Sequence, residues 1–484
     1  MAKRKRNANG GAPATIAEAD APSKKVKSTA SSSITHPVTI QIIAGSYDRV
    51  LHGVTATISP KNEVQFADTF LFNAHASAIR CLALSPPSAP VPKQTQKIIL
   101  ASGSTDERIN LYHLSAHAPS KITVPVIPSL TSKAVVENPQ NRELGSLLHH
   151  SSTVTALYFP NRSKLLSSAE DSTIAVTRTR DWSLLSTIKA PIPKPVGRPS
   201  GDTAPLGGAP SGVNDFAVHP SMKLMISVGK GEKSMRLWNL VTGKRAGVLN
   251  FDRGVLNEVG EGRYSKGEGT KVAWGATDVG EEFCVGFERG VLVYGMDSKP
   301  KCKVVPEPKT KIHQLCYVQM GDADDVQVLA VSTEDGRILF YSTRPADLIA
   351  TPSPEGKEPL LSAKLVAQLG GKDASKDLAS RIKDFSVLDI GGGASKDFLI
   401  TAAGSDGALR IWKLPAKDLA SHKGNAKQVG ELLGTYETNN RITCLKAFVM
   451  LSKMEGAEDE DEDVDDFEGF GEDGDEESSS SDSD

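Results

Sequence analysis

The sequence has few cysteines and no long apolar run, and each shortage excludes a class of protein. Its five cysteines, Cys81, Cys284, Cys302, Cys316 and Cys444, form no CxxC pair, so neither a zinc cluster nor a disulfide framework is expected. No apolar stretch reaches the ~18–20 residues that a membrane span needs. The N-terminus is basic and lacks the apolar segment of a secretory signal. We therefore expect an intracellular, soluble protein that holds no metal.

Catalytic signatures are also missing. No HExxH or GxSxG motif occurs. Two stretches, 229–234 and 391–396, contain letters of a phosphate-binding loop, but neither fits GxxxxGK[ST], and both fall where a turn between strands is expected. His75 and Asp106 resemble a base and its orienting acid, but a structural repeat explains their spacing without chemistry. We expect no catalytic residue, no cofactor and no small-molecule substrate.

The residues that are present favour short strands joined by turns. The chain has 484 residues, of which 39% are hydrophobic, so it can bury a large core. Its 42 glycines and 28 prolines indicate many turns and few long helices.

One pattern recurs seven times: an acidic residue, an aliphatic residue about three positions later, and usually an aromatic residue at the sixth position. Stretches that run from apolar to small and polar residues precede most copies, as expected for a strand and a tight turn. The copies run from Asp48 to Val54, Asp106 to Tyr112, Asp171 to Thr177, Glu232 to Trp238, Glu288 to Tyr294, Asp335 to Tyr341 and Asp406 to Trp412.

These copies resemble WD repeats, which are about 40–45 residues long, lengthened here by insertions. They predict an all-β protein, a seven-bladed WD-repeat β-propeller, because radial repetition leaves only short, protected strand edges. Residues 441–448 match a first strand with nothing after it, whereas residues 40–48 match a later strand with no first strand before it. We therefore predict that the N- and C-terminal strands together complete one blade and close the ring.

The WD resemblance assigns structural roles within the blades. In such blades the turn acid accepts backbone hydrogen bonds, and a preceding histidine reaches the aromatic residue through Ser or Thr. His75, Ser102, Asp106 and Tyr112 match one complete set, and either His149 or His150 matches a second set. The predicted structural residues are Asp48, His75, Ser102, Asp106, Tyr112, Ser167, Asp171, Glu232, Trp238, Glu288, Tyr294, Asp335, Tyr341, Asp406 and Trp412.

The net charge of −3 conceals three differently charged regions. We predict a disordered basic head over residues 1–36 (net +5), a propeller with loop insertions over 37–454 (net +9), and a disordered acidic tail over 455–484 with 17 Asp and Glu residues. The head carries basic clusters typical of nuclear localisation signals, Lys3, Arg4, Lys5, Arg6, Lys24, Lys25 and Lys27. The tail carries acid-flanked serines as candidate phosphorylation sites, Ser478, Ser479, Ser480, Ser481 and Ser483.

A more specific resemblance lies in motifs at both ends of the propeller and between them. The clearest are Ile42-Ile-Ala-Gly-Ser-Tyr-Asp-Arg-Val-Leu-His-Gly53, Met235-Arg-Leu-Trp-Asn-Leu240 and Asn439-Asn-Arg-Ile-Thr-Cys-Leu445. Together they resemble the PAK-interacting WD-repeat proteins, the family of the yeast maintenance-of-killer WD protein. Glu232, Glu288 and Thr177 depart from the usual Asp and Trp, and three insertions have no evident counterpart: Pro86–Lys97, Ala190–Ser211 and Arg253–Gly269.

This resemblance implies a non-catalytic scaffold in nucleolar assembly and pre-rRNA processing of the large (60S) ribosomal subunit. The expected partners are pre-60S ribosomal and assembly proteins together with pre-rRNA, and the expected state is a monomer within a large particle. A basic body between charged tails is also typical of proteins that work among nucleic acids. The alternative is a nuclear WD adaptor for chromatin factors or a negative regulator of a PAK-type kinase.

Overall fold

The structure is a computed structural model. It describes residues 36–92, 94–118, 126–128, 134–136, 138–192, 212–262, 265–320, 327–350, 360–371, 380–391, 396–420 and 427–452. The basic clusters of the head, the serines of the tail and most of the insertion Ala190–Ser211 lie outside the described residues.

The described strands form seven sheets, each built on four antiparallel strands. Blade 1 contains, in spatial order, β4 (Ile79–Leu84), β5 (Lys97–Ser104), β6 (Ile109–Ser115) and β9 (Arg142–Leu147). Blade 2 contains β10 (Val154–Asn161), β11 (Lys164–Ala169), β12 (Thr173–Arg178) and β13 (Leu184–Lys189). Blade 3 contains β14 (Val213–Val218), β15 (Leu224–Gly229), β16 (Ser234–Asn239) and β17 (Lys244–Asn250).

Blades 4 to 6 follow the same order. Blade 4 contains β18 (Lys271–Thr277), β19 (Gly280–Gly286), β20 (Val291–Gly295) and β21 (Pro300–Val304). Blade 5 contains β22 (Ile312–Gln319), β23 (Gln327–Thr333), β24 (Arg337–Ser342) and β25 (Lys364–Gly370), and β29 (Lys427–Gln428) pairs in parallel with β25. Blade 6 contains β26 (Ile382–Asp389), β27 (Asp397–Gly404), β28 (Ala408–Pro415) and β30 (Glu431–Glu437).

Blade 7 joins the two ends of the described chain. It contains β31 (Ile442–Val449), β1 (Val38–Ser46), β2 (Val50–Ile58) and β3 (Val64–Asn73), followed by β8 (Ala134–Val136) and β7 (Val126–Pro128). Short helical segments lie between strands: α1 (Arg253–Glu258), a 3-10 helix (Pro345–Asp347) and α2 (Ala416–Ala420).

The first strands of the blades form the inner ring. In the order β4, β10, β14, β18, β22, β26 and β31, each contacts the next, and β31 contacts β4. The chain is therefore the predicted seven-bladed propeller.

The ring closes through pairing of β31 with β1. Their register runs from Ile40 opposite Val449 to Ser46 opposite Ile442. Two further backbone bonds flank the ladder, from Tyr47 N to Arg441 O at 2.8 Å and from Met450 N to Thr39 O at 2.8 Å. The prediction that the two ends complete one blade is confirmed.

The core lies between neighbouring blades, because both faces of each sheet are covered. One cluster joins Ile43 and Leu51 of blade 7 to Ile79 and Leu100 of blade 1. The sheets approach so closely here that a Cβ atom built on Gly45 would lie 2.7 Å from Cys444 Sγ and from Ile79 Cγ2. Glycine at position 45 is therefore required by close packing of the inner strands.

Polar side chains on the inner strands connect successive blades. Thr155 Oγ1 donates to Val213 O at 2.6 Å, and Thr443 Oγ1 donates to Ile79 O at 2.6 Å. The buried carboxylate of Asp384 accepts from Leu445 N at 2.9 Å and from Gln314 Nε2 at 3.1 Å, so it links blades 5, 6 and 7. Such bonds satisfy groups that would be costly to bury alone.

A chain that ends at Asn440 should lose cooperative unfolding, whereas a chain that ends at Met454 should melt like the full-length protein. The shorter chain lacks β31, so β1 has no partner strand on its inner edge. The apolar surfaces that Ile442 and Leu445 cover in the full chain become exposed. Burial of these two side chains contributes about 3–6 kcal/mol, a large share of the ~5–15 kcal/mol that stabilises most domains. Thermal unfolding followed by circular dichroism measures the difference, and equal melting curves for the two truncations would contradict closure by β31.

Candidate binding face of the propeller

All seven predicted turn acids lie on one side of the ring, which we call the upper face. Each acid lies in the connection between the second and third strands of its blade, as with Asp106 between β5 and β6 and Asp406 between β27 and β28. The inner strands begin at this same face. Its geometry therefore depends on how each acid is held.

The first predicted set is assembled in blade 1. His75 Nδ1 lies 3.1 Å from Asp106 Oδ2, and His75 Nε2 lies 2.8 Å from Ser102 Oγ. Asp106 also accepts from Ala76 N at 2.9 Å and from Arg108 N at 3.1 Å. Burial lowers the pKa of His75 and outweighs the opposing effect of Asp106, so the imidazole is neutral at pH 7.

Tyr112 extends this network in the place of tryptophan. Burial raises the pKa of Tyr112 to about 12, while hydrogen bonds involving Asn110 and Ser102 act in the opposite direction. The structure thus brings together His75, Ser102, Asp106 and Tyr112. The imidazole of His75 and the carboxylate of Asp106 are fully occupied in holding the loop to the turn.

The second set in blade 2 uses His150 and not the neighbouring His149. His150 Nδ1 lies 3.1 Å from Asp171 Oδ2, and His150 Nε2 lies 2.8 Å from Ser167 Oγ. Asp171 accepts from Ser151 N at 3.2 Å and from Thr173 N at 2.8 Å. The ambiguity between the two histidines could not be removed by sequence spacing, because both lie in the same loop.

Asp48 and Asp406 also hold backbone amides. Asp48 Oδ2 accepts from Arg441 N at 3.2 Å, a bond that joins the two ends of the chain within blade 7. Asp406 Oδ1 accepts from Ala408 N at 3.1 Å, and Asp406 Oδ2 accepts from Arg410 Nη2 at 2.7 Å.

The other three acids are held differently. Glu232 forms a bidentate ion pair with Arg236. Asp335 accepts from Thr333 Oγ1 at 2.5 Å and from Arg337 Nε at 2.8 Å. Among the described residues, no backbone amide donates to these two acids.

Glu288 lies in the turn between β19 and β20, but its side chain does not hold that turn. Its half-exposed side chain pairs with Lys311 at 3.2 Å, and its backbone N–H donates instead to Glu261 Oε1 at 3.1 Å. Glu261 is buried and belongs to the insertion Arg253–Gly269, whose helix α1 buries Leu256. The insertion thus supplies the acid that the repeat lacks, a role that repeat spacing could not reveal.

The aromatic ends of the repeats are core residues. Trp238 Nε1 donates to Ser227 Oγ at 2.8 Å, and Tyr294 stacks on Phe283 with ring centroids 5.3 Å apart. Tyr341 and Trp412 are buried in inter-blade clusters. Each side chain anchors the third strand of its blade.

The described part of the chain offers no reactive thiol. Burial raises the pKa of Cys302, Cys316 and Cys444 to about 12, and it raises the pKa of Cys81 and Cys284 further. Within the same residues no group of His, Cys, Asp or Glu is arranged to hold a metal ion, and no helix is long and apolar enough to cross a membrane. The described acids and histidines of the upper face form hydrogen bonds and ion pairs that hold its turns together.

Asp406→Ala should destabilise the protein by about 1–3 kcal/mol, because it removes the acceptor of Ala408 N–H and the carboxylate that pairs with the buried Arg410. Glu288→Ala is the matched control and should change the free energy of unfolding by less than about 1 kcal/mol, because it removes only an exposed ion pair. Denaturant unfolding measures both values. If Asp406→Ala unfolded like the wild type, the turn assignment would be wrong.

Asp171 should make stability depend on pH in the acid range. Burial alone would raise its pKa, but hydrogen bonds from His150 and Thr173 outweigh burial and lower it to about 2. Since the folded pKa lies below the unfolded value of 3.8, the stabilisation is complete above about pH 4 and is lost as the pH falls towards about 2. Its size is about 2 kcal/mol.

Urea unfolding between pH 2 and pH 6, on the wild type and on Asp171→Asn, tests this dependence. The free energy of unfolding should fall less steeply below pH 4 in the variant, which has no carboxylate to protonate. Identical slopes in the two proteins would contradict the assignment.

Known proteins resemble this chain both over a single repeat and over most of its length. The WD domain, G-beta repeat model matches residues 141–176, which span β9 to β12 and include His150, Ser167 and Asp171. This match agrees with the repeat geometry of blades 1 and 2.

Whole-chain relatives extend the resemblance to most of the ring. The p21-activated protein kinase-interacting protein 1-like of Xenopus laevis is 25% identical over 85% of this chain and 82% of its own length. Protein MAK11 of Saccharomyces cerevisiae is 26% identical over 84% of this chain and 82% of its own length. Shk1 kinase-binding protein 15 of Schizosaccharomyces pombe is 24% identical over 87% and 88%. The resemblance found in the sequence is thereby confirmed: this chain is a WD-repeat propeller homologous to the PAK-interacting and MAK11 proteins.

Proposed function

We propose that this protein is a non-catalytic scaffold in nucleolar assembly and pre-rRNA processing of the large (60S) ribosomal subunit. Its WD propeller and its relatives' names indicate an interaction protein. The finer proposal rests on the resemblance to protein MAK11, which covers 84% of this chain. The family resemblance described above implies the ribosomal role.

The partners we propose are pre-60S ribosomal and assembly proteins together with pre-rRNA. A propeller net charge of +9 and a tail with 17 acids suit a particle made of RNA and basic proteins. The tail can bind basic partners or compete with RNA for the propeller, and phosphorylation of its serines would strengthen both effects. The protein would act as a monomer within the particle.

The proposed location is the nucleus, and within it the nucleolus. The basic clusters of the head would direct import, since two such clusters within 36 residues are typical of a nuclear signal. A fluorescent fusion with both clusters changed to alanine should move towards the cytoplasm if import depends on them.

A kinase-regulating or adaptor role is the second candidate. The relatives named kinase-interacting or kinase-binding favour it, and those names describe those proteins. A nuclear adaptor for chromatin factors would use the same propeller and tails. Affinity purification of the tagged protein with mass spectrometry would separate these roles by their partners.

Depletion of the protein should lower free 60S subunits relative to 40S subunits and leave early large-subunit pre-rRNA poorly processed. The reason is that a missing scaffold stalls the particle that it helps to assemble. Polysome profiles after depletion measure the ratio, and the tagged protein should co-sediment with pre-60S particles. A normal profile with no half-mer shoulders would overturn the proposal.

A further inference from the structure

Four cations lie together at the upper ends of three neighbouring inner strands. Lys311 precedes β22, Arg381 precedes β26, Lys383 is the second residue of β26, and Arg441 precedes β31. Three of them are exposed, and Lys383 is half-buried. We call these four residues the basic rim, because they stand at the upper mouth of the central channel.

The rim residues are close enough to act on one another. Lys383 Nζ lies 3.5 Å from His313 Nε2. Burial lowers the pKa of Lys383, and the positive charges of Arg381, Arg441 and Lys311 lower it further against the opposing effect of Glu334. Repulsion of this kind is relieved when an anion binds.

Nearby carboxylates neutralise the rim only in part. Lys311 pairs with Glu288 at 3.2 Å and Arg381 with Glu334 at 3.2 Å, both in exposed positions. Within the described residues, Lys383 and Arg441 form no ion pair with a carboxylate. Asp384, next to Lys383, is buried and accepts from Leu445 N, Phe385 N and Gln314 Nε2, so its charge is committed to the blades.

On blades 2 to 4 of the upper face, several cations have acidic partners. Lys230 pairs with Glu170 at 3.2 Å, and Arg236 pairs with Glu232. Lys271 lies 3.9 Å from Asp215. Exposed Arg80 at the start of β4 and Arg108 in the next turn lie in blade 1, beside blade 7, so positive charge continues along this side of the ring.

An exposed aromatic ring adjoins the basic rim. The Tyr47 side chain is 60% exposed, and the Arg441 guanidinium lies 5.6 Å from the centroid of its ring. The bond from Tyr47 N to Arg441 O fixes this neighbourhood, and exposed Arg49 follows two residues later. Basic side chains interleaved with an aromatic ring are what unpaired bases and their phosphates bind.

We propose that the basic rim and Tyr47 form a binding site for single-stranded RNA, with phosphates on the four cations and a base stacked on Tyr47 or Arg441. This inference rests on the proposed function, in which the RNA is pre-rRNA. An acidic peptide would use the cations but would leave the tyrosine ring without a role. Duplex RNA is less suitable because its bases are already stacked on one another.

Binding of a fluorescent single-stranded RNA of about 12 nucleotides to the full chain, across a salt series, tests the site. Lys383→Ala with Arg441→Ala should weaken binding about tenfold or more near 0.1 M salt. It should also reduce the salt slope by about 1.4, since each phosphate contact contributes about 0.7 for single strands.

The matched control is Lys244→Ala with Arg245→Ala on the exposed outer strand β17 of blade 3. It removes the same charge at another place, so binding should change by less than about threefold and the salt slope should stay nearly constant. Equal losses in the two double variants would overturn the proposal in favour of a diffuse charge effect. Melting temperatures of both variants should match the wild type, because none of the four side chains belongs to the buried core.

Variants of Tyr47 distinguish an RNA ligand from an acidic protein ligand. Tyr47→Ala should weaken RNA binding about tenfold, whereas Tyr47→Phe should keep it, because stacking needs the ring and not the hydroxyl. If Tyr47→Ala bound RNA normally and the rim variant lost polyglutamate binding as strongly as RNA binding, the site would be one for acidic peptides.

Failure of this inference is distinguishable from failure of the proposed function. Normal RNA binding by the rim variant, with the wild type still co-sedimenting with pre-60S particles, would remove the site and leave the function. Loss of RNA binding in the rim variant, with no co-sedimentation of the wild type, would remove the ribosomal role and leave the RNA site.

Discussion

Antiparallel pairing of β31 with β1 is the interaction on which the rest of the propeller depends. It places Thr443 against Ile79 of blade 1 and Leu445 against Asp384 of blade 6, so it completes both seams of blade 7. It also brings Arg441 to Asp48 and Tyr47, residues almost 400 positions apart in sequence. Without this pairing, the upper face would lack the blade that joins the basic rim to an aromatic ring.

The number of blades and their closure could be predicted from the sequence, because turn chemistry recurs even when insertions lengthen the spacing. Asp48 to Asp406 mark seven turns, and the incomplete patterns at the two ends imply a shared blade. The hydrogen-bond partners of each turn acid could not be predicted in the same way. In blade 4 the acid that accepts the backbone hydrogen bond is Glu261, not Glu288, and Glu261 belongs to an insertion that the repeat pattern does not include. Asp384 links neighbouring blades from a strand position whose residue type varies between blades. The basic rim could not be predicted from the sequence, because its members are neighbours only across three blades.

The propeller separates residues that hold the ring from residues that are free to bind. Histidines and acids such as His75 and Asp106 form the hydrogen bonds that join loop to turn. The inter-blade clusters keep each sheet fixed against its neighbours, so the upper face presents its exposed side chains on a rigid frame. Such preorganisation lowers the entropy lost on binding, so a rigid propeller face suits the recognition of a partner.

Closure by the last strand also sets a delay during synthesis. β1 is made early, but its inner partner β31 follows about 400 residues later, which takes about 20–80 s at ordinary translation rates. During that interval the inner edge of β1, with the apolar side chains of Ile40, Ile42 and Ile43, has no strand beside it. An open apolar edge is a template for pairing with other chains. The first of the described strands is thus protected only when the last of them pairs with it, and the nascent protein carries an open apolar edge until its ring is complete.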